Sequence, residues 1–288
     1  MMFSGTGVAL VTPFTKDNAV DFDALGKLID HVIAGGVDYL VALGTTGETP
    51  TLTSEERRAV LRFIVEHTDR RRPVVAGMGS NNTAELLEGL RTYDFTGVSC
   101  LLSVTPYYNK PSQEGLYQHY VAYAAATDLP IILYNVPGRT GGNILPKTVY
   151  RLVREFQNII AIKEASGNLA QCMELVANAP EGFAVLSGDD NLVLPQIAIG
   201  MHGVISVAAN CYTQDFCAMV QFALVNQYEE ARRLHYKLLS GIDMLFEEGN
   251  PAGVKHELAR LGICENYLRL PLVPVSAGLA ERMNRAAS

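Results

Sequence analysis

One lysine in the sequence stands where an amine that attacks carbonyl groups would be useful. Lys163 directly follows the apolar run 159–162, which has the length and composition of a buried strand. Burial disfavours the ammonium form of a lysine, and the neutral amine can attack a carbonyl carbon to form a Schiff base. The alternative is a lysine that simply enters solvent where a strand ends.

Hydroxyl groups follow two other apolar runs. Tyr134 ends the run 131–134, where its hydroxyl could exchange a proton with a carbinolamine; a core tyrosine with a solvated tip is the alternative. Thr45 and Thr46 lie between two glycines. Their hydroxyls and the backbone N–H groups of such a turn suit a small carboxylate, although an ordinary strand-to-helix turn has the same composition.

An arginine follows the strand that ends at Tyr134. The segment 138–142 reads Gly-Arg-Thr-Gly-Gly and presents Arg139 on a flexible loop. A guanidinium can hold a carboxylate through two parallel hydrogen bonds, so Arg139 is a candidate contact for an acidic substrate. A solvated loop arginine is the alternative.

Other chemistries are poorly represented in the sequence. The glycine pairs at 5–7 and 77–79 lack the third glycine of a dinucleotide fingerprint, and no Walker lysine follows a glycine loop. The predicted strand ends carry no His or Cys, and the six histidines are dispersed without ligand spacing. These residues predict neither a metal site nor an organic cofactor.

Eight short apolar runs recur along the chain, each followed by a helical pattern. Each run is continuously apolar, which is typical of a strand covered on both faces in a parallel sheet. The runs lie at 8–11, 39–43, 74–78, 98–104, 131–134, 159–162, 183–186 and 203–208. Thr53 with Glu56, and Asn82 with Glu85, form capping-box patterns that begin two of the helices.

Eight strand–helix units favour a TIM (β/α)8 barrel over a doubly wound sheet, which usually has five or six strands. We expect the barrel to occupy residues 1–224 and residues 225–288 to form a C-terminal helical extension packed on it. Reactive groups in such a barrel lie at the carboxyl ends of the strands, where all of the candidates above are placed.

Composition narrows the class of protein. The chain has 288 residues, with 23 Lys and Arg against 30 Asp and Glu, and a net charge of −7 argues against a nucleic-acid surface or a polybasic membrane anchor. The five cysteines form no CxxC pair, which suits a reducing compartment. The start of the sequence lacks the features of a signal peptide, so we expect a cytoplasmic protein.

Five segments in this order resemble the dihydrodipicolinate synthase family of pyruvate-dependent class I aldolases, which includes N-acetylneuraminate lyase. They are Gly-Thr-Thr-Gly-Glu at 44–48, Thr-Pro-Tyr-Tyr-Asn at 105–109, 134–141, Ile-Lys-Glu-Ala at 162–165 and Ser-Gly-Asp-Asp at 187–190. The resemblance spans the whole chain, through Asn-Pro at 250–251 and Leu-Arg-Leu-Pro at 268–271.

The resemblance implies a role for each hydroxyl and amine. Lys163 would form the Schiff base with the keto carbon of pyruvate, and Tyr134 would move protons during imine formation. Thr45 and Tyr108 would complete a proton relay with Tyr134. Tyr108 would cross a subunit interface to serve a neighbour's site, within a homotetramer built as a dimer of dimers.

The resemblance also implies how the substrates are held. Thr45 and Thr46 would bind the pyruvate carboxylate, and backbone groups of Gly188 and Ile205 would line the pocket. Arg139 would bind the carboxylate of L-aspartate 4-semialdehyde. The enamine would attack this aldehyde and the product would cyclise, in the first committed step of diaminopimelate and lysine biosynthesis. No metal or organic cofactor is implied, because the lysine itself is the electron sink.

Lysine-inhibited bacterial members of the family bind lysine in a cleft between subunits. The resemblance maps that cleft onto Thr49, Pro50, Ser54, Arg57, Asn81, Glu85 and Tyr107. Sensitive enzymes of the enterobacterial type have histidines where this chain has Ser54 and Arg57. An arginine would repel the ammonium groups of lysine, so our hypothesis is weak or absent lysine inhibition.

Two alternatives stand beside the synthase. The first is another 2-keto-acid aldolase, such as an N-acetylneuraminate or 2-keto-3-deoxy-sugar lyase, although Arg-Thr-Gly at 139–141 favours the synthase branch. The second is a non-catalytic barrel that binds a small carboxylate as a regulator. Borohydride reduction in the presence of pyruvate would separate both aldolases from the binder.

Overall fold

The computed structural model describes residues 3–286, in which eight parallel strands close into a barrel. Each strand pairs with the next along the chain and the last pairs with the first, so the predicted TIM barrel is confirmed. The strands are β1 (Gly5–Ala9), β2 (Tyr39–Ala42), β3 (Val74–Gly77), β4 (Cys100–Val104), β5 (Ile131–Asn135), β6 (Ile159–Glu164), β7 (Ala184–Ser187) and β8 (Gly203–Ser206).

Helices surround the barrel and continue beyond it. They are α1 (Phe22–Ala34), α2 (Ser54–Thr68), α3 (Thr83–Thr92), α4 (Gln113–Ala124), α5 (Pro137–Thr140), α6 (Pro146–Glu155), α7 (Leu169–Ala177), α8 (Val193–Ala198), α9 (Thr213–Leu224), α10 (Tyr228–Glu247), α11 (Ala252–Arg260) and α12 (Ala277–Ala286). None of the helices described within 3–286 is long and apolar enough to cross a membrane.

The predicted helix starts are confirmed with one correction. Thr53 and Glu56 form the complete reciprocal capping box at the start of α2. Asn82 caps α3 through its side chain. The predicted return hydrogen bond from the Asn82 N–H to the Glu85 carboxylate is wrong, because that carboxylate accepts from the Ser80 hydroxyl instead.

Strand alternation decides which side chains enter the barrel. Ile132 on β5 and Ala161 on β6 belong to the buried cluster that fills the barrel interior. Side chains two residues apart lie on the same face of a strand, so Tyr134 and Lys163 face the same interior. Ile162, one residue away, packs in the outer core between strands and helices. The sheet therefore presents the lysine at its carboxyl-end mouth.

The segment after the barrel returns to the active-site end. Asn250 contacts Thr46, and Lys255 on α11 pairs with Glu48. The division into a barrel of residues 1–224 and a helical extension of residues 225–288 packed on it stays a prediction. All five cysteines are free and buried.

Candidate active site

Lys163 and Tyr134 are the two groups that the barrel brings closest together. The register of β5 and β6 places them opposite each other, and Lys163 Nζ lies 4.3 Å from the centroid of the Tyr134 ring. Lys163 is 5% exposed and Tyr134 is 7% exposed. A nearly dry amine beside a phenol can attack a carbonyl carbon and exchange a proton with the product.

Gly188 lies against the lysine at the end of β7. A Cβ atom at this position would be 2.9 Å from Lys163 Cε and 2.5 Å from the Cβ of Ala165. Any side chain here would displace the lysine or its neighbour, so glycine keeps room beside the amine. Ile205 on β8 is fully buried in the cluster that fills the barrel interior.

Thr45 and Thr46 lie in a single 3-10 turn directly after β2. Thr46 is 2% exposed, whereas Thr45 is half-buried. The turn is fixed from below, because the Thr12 hydroxyl donates to the Gly47 carbonyl over 2.7 Å. The first N–H groups of a helical turn lack partners within it, so they are available to an acceptor.

Arg139 and Tyr108 occupy two neighbouring loops at the barrel mouth. Arg139 is exposed on α5, one helical turn after β5. Tyr108 is 84% exposed and has a φ of 69°, a left-handed conformation that is uncommon for a bulky residue. The N–H of Tyr108 donates to the Thr140 carbonyl over 3.4 Å, which joins the two loops.

The predicted proton relay is not assembled within one chain. No hydrogen bond within residues 3–286 joins Thr45, Tyr134 and Tyr108, and the Tyr108 ring is directed to the surface while Tyr134 is buried. The structure therefore places the predicted residues at one end of the barrel, with Tyr134 and Gly188 each next to Lys163.

A buried amide network behind Lys163 was not predicted. Glu164 is fully buried and accepts from Asn135 Nδ2 at 2.9 and 3.1 Å, from Gln171 Nε2 at 2.9 Å and from the Ser166 N–H at 2.8 Å. Asn135 also donates to Asn143, in the loop that follows Arg139. Alternation could have found this residue, because the rule that turns Lys163 inward turns Glu164 outward.

Two aspartates follow Gly188. Asp190 is buried and accepts the N–H groups of Val207 and Ala208 at 2.9 and 2.8 Å, which fixes the chain after β8. Burial raises the pKa of the Asp190 carboxyl, and the nearby Lys163 charge opposes that shift. Burial raises the pKa of Asp189 to about 6, with the Gly167 N–H and Lys163 again opposing it.

A buried ion pair supports the threonine turn from the opposite side. Glu48 and Lys255 are both fully inaccessible and in contact, and Glu48 has a φ of 52°. Burial lowers the pKa of Lys255, while the charge and hydrogen bond of Glu48 oppose that shift. Lys255 also donates to the Tyr267 carbonyl at 2.8 Å, and the Arg269 N–H donates to Glu48 at 3.1 Å. No local sequence signal reveals partners 207 residues apart.

Two hydrogen-bonded contacts join some of the candidate lysine-site residues. Arg57 Nε donates to the carbonyls of Thr49 and Leu52 at 3.2 and 3.1 Å, so its side chain folds back on its own loop. Asn81 Nδ2 donates to the Tyr107 carbonyl at 3.2 Å. The remaining members are Pro50, Ser54 at the exposed start of α2, and Glu85 on α3.

A parallel eight-stranded barrel with a buried lysine beside a tyrosine at its mouth has the geometry that a Schiff-base-forming lyase, a class I aldolase, requires. A sequence profile described as the Dihydrodipicolinate synthetase family matches residues 2–288. The chain belongs to this family, which confirms the resemblance found in the sequence.

Relatives and solved structures match this chain over nearly its full length. The 4-hydroxy-tetrahydrodipicolinate synthase of Flavobacterium psychrophilum is 52% identical over 282 residues, which are 98% of this chain and 96% of that protein. The crystal structure of dihydrodipicolinate synthase from Aquifex aeolicus has a TM-score of 0.95 and 42% identity, covering 98% and 96% of the two chains. A monomeric dihydrodipicolinate synthase variant has a TM-score of 0.96 and 39% identity, covering 99% and 96%.

Proposed function

We propose that Lys163 is the residue through which this chain condenses pyruvate with L-aspartate 4-semialdehyde. The chain is a 4-hydroxy-tetrahydrodipicolinate synthase, since relatives with this name are about half identical over almost the whole sequence. The observation that carries the proposal is a nearly dry amine beside the phenol of Tyr134, at the mouth of the barrel.

The first half of the reaction activates pyruvate. Lys163 Nζ attacks the keto carbon and forms a carbinolamine, and the hydroxyl leaves as water after it accepts a proton relayed by Tyr134. Tyr134, ionised by that transfer, accepts a methyl proton from the resulting iminium, which gives an enamine and restores the phenol. The protonated imine is the electron sink, so enzymes of this family need no external cofactor.

The second half joins and closes the product. The enamine carbon attacks the aldehyde carbon, and the aldehyde oxygen takes a proton from the Tyr134 hydroxyl. The amino group of the semialdehyde then attacks the former keto carbon and expels the amine of Lys163. The proton released in this exchange returns to Tyr134, which regenerates the enzyme. Each proton transfer requires a group within hydrogen-bond reach of the reacting atom. The Tyr134 ring lies beside Lys163, with its centroid 4.3 Å from Nζ, which makes its hydroxyl the candidate for these transfers.

The two carboxylates have separate contacts in this proposal. The hydroxyls and N–H groups of Thr45 and Thr46 hold pyruvate, whose carbonyl carbon then faces the amine. Arg139 holds the carboxylate of the semialdehyde from its exposed turn on α5. Backbone groups of Gly188 and Ile205 line the space between them.

Tyr108 completes the site of a second copy of the chain in this proposal. Its ring is 84% exposed although it is aromatic, and the neighbouring Tyr107 is exposed as well. Large exposed aromatic side chains are enriched where a protein surface is covered by a partner. The assembly proposed is a homotetramer, a dimer of dimers in which Tyr108 joins Thr45 and Tyr134 of the neighbour, in the cytoplasm.

We propose weak or absent inhibition by lysine. Arg57 places a guanidinium against the Thr49 carbonyl, and a positive charge in the mapped cleft would repel the ammonium groups of lysine. At about 1 mM L-lysine the initial rate should change less than about twofold, which corresponds to a binding free energy weaker than about −4 kcal/mol. An inhibition constant in the sub-millimolar range would contradict this proposal.

The function is tested by comparing two activities and one adduct. The purified chain should form product from pyruvate and aspartate semialdehyde but should not cleave sialic acid. Borohydride with pyruvate should add mass to the peptide that contains Lys163. Sialic acid cleavage would instead indicate another 2-keto-acid aldolase, and a protein without an adduct would indicate a carboxylate-binding barrel.

A further inference from the structure

The side chain of Asn250 reaches the threonine turn from the segment that follows the barrel. Its Nδ2 lies 3.0 Å from Thr46 Oγ1, across 204 positions of sequence. Asn250 is 7% exposed, so both groups of this contact are buried. The contact lies beside the turn to which the pyruvate carboxylate was assigned above.

The direction of this hydrogen bond decides what Thr46 can offer a substrate. An amide nitrogen only donates, whereas a hydroxyl has one hydrogen to donate and lone pairs that accept. Asn250 therefore uses a lone pair of Thr46 Oγ1 and leaves its hydrogen uncommitted. Within residues 3–286 the Thr46 side chain has no other hydrogen bond.

We propose that Asn250 is a positioning residue that holds the Thr46 hydroxyl as a hydrogen-bond donor to the pyruvate carboxylate. This inference rests on the proposed assignment of that carboxylate to Thr46. A donor fixed before the substrate arrives does not have to be oriented during binding, so less conformational freedom is lost. A hydrogen bond to a charged acceptor is also stronger than one between neutral groups.

Thr46 is the one hydrogen-bond partner of the Asn250 side chain among the described residues. Asn250 Oδ1 is buried and has no hydrogen-bond partner among the described residues. Buried polar atoms are usually paired, so an amide placed only for packing or folding would be expected to satisfy both of its ends. The one polar contact that this side chain makes is the one to Thr46.

The chain segment that contains Asn250 also fixes the backbone of the turn that contains Thr46. Lys255, five residues beyond Asn250, is buried against Glu48, two residues beyond Thr46. The ion pair holds the turn in place, and the amide of Asn250 sets the rotation of one hydroxyl on it. The two contacts have separable effects, because only the amide touches the hydroxyl.

The decisive variant is Asn250→Asp, which has nearly the same shape. A carboxylate only accepts, so it would take the Thr46 hydrogen and place a negative charge beside the substrate's own carboxylate. We expect the pyruvate concentration for half-maximal borohydride trapping on Lys163 to rise about 100-fold in Asn250→Asp, and about tenfold in Asn250→Ala. The KM for aspartate semialdehyde should stay within about twofold in both.

A double-variant cycle separates orientation from general loosening of the turn. Thr46→Val removes the hydroxyl on which Asn250 acts, so adding Asn250→Ala to it should weaken pyruvate trapping no further. Thr46→Ser keeps the hydroxyl and should hold half-maximal trapping within about threefold of the parent. Thermal unfolding midpoints of all variants report whether they fold.

Several results would overturn the inference without touching the proposed function. The first is unchanged pyruvate trapping in Asn250→Asp, and the second is an equal loss of affinity for both substrates. The third is an additive effect of Thr46→Val and Asn250→Ala on trapping. The fourth is failure of both Asn250 variants to fold, which would make Asn250 a structural residue. Absence of any Lys163 adduct in the parent chain would instead overturn the proposed function.

Discussion

The two sides of the barrel mouth are built differently. The side formed by β5 and β6 presents Lys163 and Tyr134 almost fully buried, and Glu164 and its amide partners support it from behind. The loops that carry Tyr108 and Arg139 are exposed, and one long hydrogen bond joins them. The group proposed to make a covalent bond is rigidly enclosed, whereas the groups proposed to meet an incoming aldehyde or a second chain remain accessible.

The largest effect is expected on the buried side. Lys163→Ala removes the amine, so the mass adduct formed by pyruvate and borohydride should disappear completely and product formation with it. Mass spectrometry of the treated protein measures this directly. Lys147→Ala, at an exposed lysine on α6, is the matched control and should keep the adduct. An adduct that persists in Lys163→Ala would place the chemistry elsewhere.

The buried ion pair that supports the threonine turn should have a large effect on the free energy of unfolding. Lys255→Met leaves the Glu48 carboxylate buried without its cation, which should lower the free energy of unfolding by about 3–5 kcal/mol. Urea unfolding measures the change, and Lys147→Met at the surface should have little effect. Adding Glu48→Gln to Lys255→Met should recover part of the loss, since it removes the unpaired charge; no recovery would show that packing of the lysine stem matters more.

Removal of the exposed Arg139 side chain should affect the two substrates differently. Arg139→Ala should leave pyruvate trapping on Lys163 intact but lower kcat/KM for aspartate semialdehyde by about 100-fold, because a charge-assisted contact with its carboxylate is lost. Steady-state kinetics with each substrate varied measure this, with Arg154→Ala as the exposed-arginine control. If pyruvate binding fell instead, the assignment of Arg139 to the aldehyde would be wrong.

The smallest effect concerns pH. Burial raises the pKa of Asp189 to about 6, so the folded chain binds this proton more tightly than the unfolded chain does. The stabilisation is fully present below about pH 4 and is lost as the pH rises through about 6. As the pH rises over this range, the free energy of unfolding should fall less in Asp189→Asn than in the parent chain. Urea unfolding at several pH values measures the difference. Asp128→Asn, at an exposed aspartate, should leave the slope unchanged.

Local pattern in the sequence was sufficient to predict the barrel. Continuous apolar runs predicted eight strands in a closed barrel, and the structure confirms this prediction. Strand alternation then places Lys163 on the same face of β6 as Ala161, which lies in the barrel interior. The first strand begins at Gly5, three residues before the predicted run. Two glycines and Thr6 interrupt its apolar pattern, which is why periodicity alone placed the start too late.

Contacts between distant parts of the chain could not be predicted in the same way. The pair of Glu48 with Lys255 and the contact of Asn250 with Thr46 join positions more than 200 residues apart. Strand and helix periodicity reports which face of an element is buried, but it carries no information on which distant side chain lies opposite. The features that hold the threonine turn became visible only in the folded chain.

The burial of the cysteines has a practical consequence for testing the proposed homotetramer. Burial raises the pKa of Cys172 and Cys264 to about 11 and that of Cys217 to about 12, and Cys100 and Cys211 are shifted upward as well. At neutral pH a thiol with a pKa near 11 is ionised in only about one molecule in ten thousand. A single cysteine introduced beside Tyr108 would be the one thiol open to alkylation, so a fluorescent label there would report directly on when two chains meet.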